Sequence, residues 1–172
     1  MPIVNENFEY ISTYFGKIDL KKLEAEYESE IKYKGKPLEI SMTFLSEKKQ
    51  TSIDELQKID FYLDNVSQNL NGINRILIDD YKQEETVKEY IDFLTEELEE
   101  EDLLQVMENH NASLSIEHNI LLNINLLRIV FYPDQEDDVF AIFDYTLSQD
   151  ITDVLLVARL NNDNSLNLLI ES

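Results

Sequence analysis

No cysteine occurs among the 172 residues. Disulfides, thiolate zinc sites, iron–sulfur clusters and cysteine nucleophiles are therefore excluded. Glycine is almost as scarce, with only Gly16, Gly35 and Gly72. Phosphate loops, dinucleotide fingerprints and nucleophile elbows need glycines gathered at one turn, and none can be written here. No stretch approaches the roughly 18 to 20 apolar residues of a membrane span. The opening, MPIVNENFEYISTYF, has neither a basic region nor a continuous apolar one, so it does not read as a signal peptide. A cytoplasmic protein is the expectation.

Positive charge is the other scarcity. There are 36 acids against 14 bases, a formal net charge of −22. Residues 1–88 hold 17 acids and 12 bases, whereas residues 89–172 hold 19 acids and only Arg128 and Arg159. Phosphate recognition needs Lys and Arg to displace counterions, so nucleic acid and anionic lipid are expected to be repelled. A basic protein is the better partner, because complementary fields speed encounter and set register. Acidity also serves solubility alone.

What is present is enough for one domain. Hydrophobic residues make up 43% of the chain, which supports a buried core and argues against wholesale disorder. The strongest β character lies in residues 126–172, where LLRIVFYPD, VFAIFDYTL, DVLLVARL and SLNLLIES are parted by polar, turn-prone residues. Short links between sequential strands predict an antiparallel four-strand meander. Apolar residues on both alternate sets predict strands at 126–132, 139–147 and 154–160 covered in part on both faces. Asn161-Asn-Asp-Asn164 is a tight hairpin loop.

Residues 26–45 predict a second β-hairpin. With Lys34-Gly35 as a two-residue turn, Tyr33 faces Lys36, Ile31 faces Leu38 and Tyr27 faces Met42, giving one apolar face. Pro37 suggests an edge position. The residues before Gly16 suggest a short helix or packed loop.

Helices fill the centre. Ser52-Ile-Asp-Glu55 has the form of a capping box. Ile53, Leu56, Ile59, Leu63, Val66 and Leu70 then form one helical stripe, expected to stop at Asn71-Gly72. A shorter helix is expected over 73–81. Another starts near Glu84 with Val87, Ile91, Leu94 and Leu98 on one face. Its phase fails at Glu101, which predicts a break near 99–102 and a new helical piece using Leu103, Leu104 and Met107. SIEHNILLNI predicts one more helix. Strands, then helices, then strands indicate a single α+β domain with one antiparallel sheet and helices stacked on it.

Tyr132-Pro133-Asp134, Phe143-Asp144-Tyr145, Leu155-Leu156-Val157 and the terminal Glu171-Ser172 resemble a bacterial domain-of-unknown-function family, number 2004. The hairpin Glu30-Ile-Lys-Tyr-Lys-Gly35 is similar to that family's N-terminal part. The resemblance spans most of residues 14–172. It implies a fold and supplies no activity, cofactor or catalytic residue.

Among candidate sites the run Glu96, Glu97, Glu99, Glu100, Glu101 and Asp102 is the densest. It is either a docking patch for a basic protein or a solvated face beside a helix break. Like charges at i,i+4 repel by a few tenths of a kcal/mol, roughly. Asp134-Gln-Glu-Asp-Asp138 starts like a calcium loop, but Val139 and Tyr145 stand where glycine and the bidentate Glu belong. Asp144 sits in an apolar strand and needs hydrogen bonds or a cation, and Arg128 or Arg159 can supply one from a neighbouring strand. His110 and His118 match no zinc spacing. The expectation is a non-enzymatic acidic binding protein with no cofactor, in its sharpest form an immunity protein that occludes a cationic toxin. The alternative is a carboxylate-dependent hydrolase, which needs two acids in one cleft.

Overall fold

A computed structural model describes residues 8–134 and 136–172. The first hairpin pairs β1 (Glu9–Ser12) with β2 (Gly16–Asp19). A helix or loop was the expectation for this stretch, of which residues 1–7 lie outside the described residues. The strands form because Tyr10, Ser12 and Thr13 all reach one carboxylate. Tyr10 Oη donates to Asp60 at 2.8 Å, Ser12 Oγ at 2.6 Å and the Thr13 amide at 3.1 Å. That clasp joins the hairpin to the helix carrying Asp60, a tertiary interaction that local periodicity does not encode.

Tyr14 Oη donates to Asp64 one turn further along, at 2.9 Å. Both phenols, Tyr10 and Tyr14, are pushed up to about 12, first by burial and then by these carboxylate bonds. An ordinary tyrosine ionises near 10. A folded-state value above the unfolded one means the stabilisation is whole below about pH 10 and is lost as pH rises through about 12. Late tyrosinate absorbance, coincident with loss of circular dichroism between those limits, is the expected result. Ionisation complete at pH 10 with the fold intact would contradict it.

The second hairpin pairs β3 (Glu26–Tyr33) with β4 (Lys36–Thr43) in the register expected from the sequence: Tyr33 opposite Lys36, Ile31 opposite Leu38 and Tyr27 opposite Met42. Lys34 and Gly35 both take positive φ, 51° and 79°, as a two-residue turn matched to strand twist requires. At the other end of the chain β5 (Asn125–Phe131), β6 (Val139–Thr146), β7 (Leu155–Asn161) and β8 (Leu166–Glu171) form the antiparallel meander. Asn164 takes the left-handed conformation in the last turn, at φ 65°.

The two parts join into one six-stranded sheet in the order β3-β4-β5-β6-β7-β8. The expected all-antiparallel sheet is corrected here, because β4 and β5 run parallel, with Glu39 to Met42 beside Arg128 to Phe131. The helices between them return the chain to the same end of the sheet, as a parallel crossover does. Pro37 is tolerated although β4 is internal. It lies outside the segment paired with β5, so its missing N–H costs no bond on that side.

Five helices supply the second layer: α1 (Ile53–Asp64), α2 (Val66–Lys82), α3 (Thr86–Glu97), α4 (Glu100–Val106) and α5 (Ile116–Asn123). Ser52 caps α1 by accepting the Glu55 amide. The expected stop at Asn71-Gly72 is overturned, since the chain breaks at Asn65 and Gly72 lies inside α2. Asn65 Nδ2 bonds the Phe61 carbonyl and Asn69 Nδ2 bonds that of Tyr62. Those amides satisfy the carbonyls that a helix end leaves open. Gly72 is helical at a cost of about 1 kcal/mol, offset by burial of Leu70, Ile73 and Leu77 on either side of it. The separate helix expected over 73–81 is therefore the second half of α2.

The α3 stripe Val87, Tyr90, Ile91 and Leu94 is buried, and the chain is extended at Leu98 before α4, so the loss of phase marks a real break. Asp80 near the end of α2 caps α3 from outside, accepting the Val87 amide at 2.6 Å. The core lies between the layers. Tyr62 of α1 meets Phe131, Phe140 and Phe143 of the sheet at ring separations of 5.8, 5.5 and 6.1 Å. Leu56, Ile59, Leu63, Ile91 and Leu94 belong to the same buried cluster as Ile40, Ile129, Leu156 and Ala158. The result is a single α+β domain.

Candidate functional site

The helices cover one face of the six-stranded sheet. Side chains alternate along each strand, so the residues opposite the core set share the other face. Val130, Ile142, Leu155, Val157 and Leu169 all fall there, and none belongs to the core cluster or packs against it. One row across this face runs Glu30, Glu39, Arg128, Asp144, Val157 and Leu169, directly cross-strand at every step. The strands were expected to be covered on both faces. β6 is buried at seven of its eight positions, yet only one side of it meets helices among the described residues. Its other side carries Ile142, Asp144 and Thr146, of which Asp144 and Thr146 are buried.

Asp144 is the clearest case, being 2% exposed. Arg128 Nε donates to its Oδ2 at 2.5 Å, and the guanidinium side chain is about half-exposed. The hydrogen bond to the Asp144 carboxylate, with Glu39 nearby, raises the Arg128 pKa above its ordinary value, against the lowering effect of burial. Register selects Arg128 over Arg159: Arg128 stands directly opposite Asp144, whereas Arg159 stands opposite Ile142. Arg159 turns instead to Asn161 Oδ1 at 3.1 Å and the Asp137 carbonyl at 2.6 Å.

The flank of this face is acidic. Glu26, Glu28 and Glu30 alternate outward along β3, the sheet edge, and Glu39 lies beside them on β4, all exposed. A row of carboxylates on an edge strand repels a second copy of the same edge. The same row attracts a cationic surface. Apolar centre and acidic margin thus lie on one uncovered surface.

The sequence-derived acidic run lies elsewhere, at the corner between α3 and α4. Glu96, Glu97, Glu99, Glu100, Glu101 and Asp102 are all exposed, and none enters an ion pair among the described residues. Glu100, Glu101 and Asp102 form the first turn of α4, where negative charge complements the helix dipole. Glu96 and Glu97 end α3, where it opposes the dipole. Glu99, at the N-cap of α4, makes no side-chain cap bond, so the side chains of Glu96, Glu97 and Glu99 have no hydrogen-bonding role at the corner.

No family model, curated protein or solved structure matches the chain. Function must come from the surfaces themselves.

Depressions also indent the described surface. One, of about 510 Å3, lies between the turn end of the second hairpin, α2, α5 and the start of β5. Glu108 is the only carboxylate in its described wall, and it is held by Lys36 at 2.6 Å. Another lies between the end of α2 and β8 and holds Asp79, Asp80 and Glu85. There Asp79 meets Lys82 at 3.3 Å and Asp80 is committed to the α3 cap. Asp134, from the calcium-like run, accepts the Ser46 amide at 2.8 Å. No group of three or more potential ligands is placed to hold a metal among the described residues. His118 bonds Ser115 and meets the Tyr81 ring edge-on. No described helix is long and apolar enough to cross a membrane.

Sequence reasoning singled out Asp144 correctly as a polar residue in an apolar strand. It missed Asp60, Asp80 and Asn119, whose partners are distant in sequence or lie in an irregular loop. It also passed over Tyr33 and Tyr145 as ordinary strand aromatics. Nothing in a one-dimensional pattern marks which tyrosine hydroxyl meets a partner.

Proposed function

We propose that this chain is a non-catalytic binding protein that docks a basic protein partner on the open face of its sheet. The observation that carries this is the coincidence on one uncovered surface of an apolar centre, Val130, Ile142 and Leu169, with the outward glutamates of β3 and β4. Apolar contact there supplies affinity, and the carboxylates select a cationic partner. The α3–α4 corner, off this face, adds to the net −22 field that steers encounter. The sharpest form of the proposal is an immunity-type inhibitor that occludes the cationic surface of a bacterial toxin. The resemblance to domain-of-unknown-function family 2004 is compatible with this role and adds no activity to it.

The test compares the native chain with two charge reversals, using the basic protein that co-purifies with it from native cells. Glu28→Lys with Glu30→Lys and Glu39→Lys should weaken equilibrium binding by at least tenfold. Glu96→Lys with Glu97→Lys should slow association several-fold, leave dissociation unchanged and flatten the salt dependence. Recovery of no basic protein at low salt would sink the proposal. So would equal binding by the face variant.

A further inference from the structure

The pocket at the turn end of the second hairpin carries a pair of unused hydrogen-bond donors. Its walls are mixed: Leu38 from β4, Leu70 and Leu77 from α2, Leu126 from β5 and Leu156 from β7 are apolar, and Asn74, Asn109 and Asn125 are uncharged and polar. Tyr145 of β6 is 2% exposed and lines this space, and Tyr33 of β3 lines it too. Neither hydroxyl meets a hydrogen-bond partner among the described residues. A buried hydroxyl left unmade costs about 1–3 kcal/mol, and native proteins retain few such groups without a reason. Two in one cavity is a pattern that a bound acceptor resolves. Burial, with Tyr33 close by, raises the Tyr145 phenol far above its ordinary value, so it stays a protonated donor.

Charge narrows the ligand class further. Lys36 and Glu108 neutralise one another at the rim, with both carboxylate oxygens bonded to the ammonium at 2.6 and 2.7 Å. Lys34 is exposed and lies over the Tyr33 ring at 5.2 Å. Apart from Lys34 and the Lys36–Glu108 pair, the lining carries no charge to pair with an ion. The rim is apolar on its helical side: Leu122 is 63% exposed and Ile78 40%. A volume of about 510 Å3 falls within the range of metabolite-sized sites, about 300–1,000 Å3.

The geometry points to a binding site for a small uncharged apolar molecule with a carbonyl-type acceptor, its oxygen received by the hydroxyls of Tyr145 and Tyr33. This site stands apart from the open sheet face, so it holds or fails independently of the docking proposal.

Prodan, an uncharged naphthyl ketone whose emission shifts to the blue on transfer from water, is the probe. Titrated into the full chain, it should bind saturably with one equivalent per chain. Tyr33→Phe and Tyr145→Phe, which remove only the donors, should each weaken binding about five- to tenfold, the loss of one hydrogen bond. Asn74→Trp, on the half-buried α2 position lining the mouth, should abolish binding while circular dichroism reports an intact fold. Absence of saturable binding to the native chain would overturn the assignment. So would binding that survives Asn74→Trp, or binding undiminished in both phenylalanine variants.

Discussion

Replacing Asn119 with alanine is expected to destabilise the protein by about 3 kcal/mol, because it removes three hydrogen bonds made by a buried side chain, each worth about 1 kcal/mol. Asn119 of α5 is fully buried. Its Oδ1 accepts the Asn111 amide at 2.8 Å, and its Nδ2 donates to the carbonyls of Asn111 and Ser115, each at 3.0 Å. One side chain thereby replaces the secondary structure that the loop lacks. Asn123 one turn later does the same for Asn109, accepting its amide and donating to its carbonyl, both at 3.1 Å. Truncation at 119 leaves the Asn111 amide without a partner, while the Asn111 carbonyl keeps only the Leu114 amide at 3.0 Å. For a chain of this length the midpoint of thermal unfolding should fall by about 10 °C. Urea denaturation checks the free energy directly. A loss under about 1 kcal/mol would mean that water reaches the Asn111 backbone and takes over the lost bonds. Because Asn109 lines the mouth of the hairpin-end pocket, the same variant should also bind Prodan less well.

Arg128→Met should cost about 2–3 kcal/mol, less than the 3–5 of a fully buried pair because the guanidinium is half in water. The expense falls on Asp144, which remains buried without its cation. Arg128→Met combined with Asp144→Leu should return to within about 1 kcal/mol of the native chain, since an apolar pair of similar volume replaces a desolvated ionic one. The double variant thus separates the cost of an orphaned charge from the worth of the pair. Equal destabilisation in the single and double variants would show that Arg128 acts through packing of its alkyl stem, not through the carboxylate. Chemical denaturation of these three chains and of Asp144→Leu alone gives the coupling energy.

The sheet was legible where its constraints are local. Lys34-Gly35 with alternation on both sides allows only one register, and a slip by one residue would expose every apolar side chain in β3. The C-terminal meander was legible for the same reason, its strands being parted by short polar turns. The pairing of β4 with β5 was not. Those strands are separated by the whole helical layer, and their relative direction depends on where that layer returns the chain. The stripe from Ile53 to Leu70 concealed the break at Asn65, because the apolar spacing is kept through it and both helices show the core the same side. Gly72 pointed the other way: glycine allows a helix to end without requiring it.

For the functional surfaces the division is sharper. Net charge, its concentration in the second half and the exposed run from Glu96 to Asp102 are properties of composition and short spacing, so the sequence by itself determined them. It determined likewise the hairpin register and the need of Asp144 for hydrogen bonds or a cation, since a carboxylate among apolar strand residues has few alternatives. Only the tertiary structure decided that Arg128 answers that need, that one sheet face lies outside the core, and that Tyr33 and Tyr145 share a pocket. Each of these depends on which strands become neighbours and which side the helices take. Such choices are settled by packing across the whole chain, beyond the reach of any local pattern.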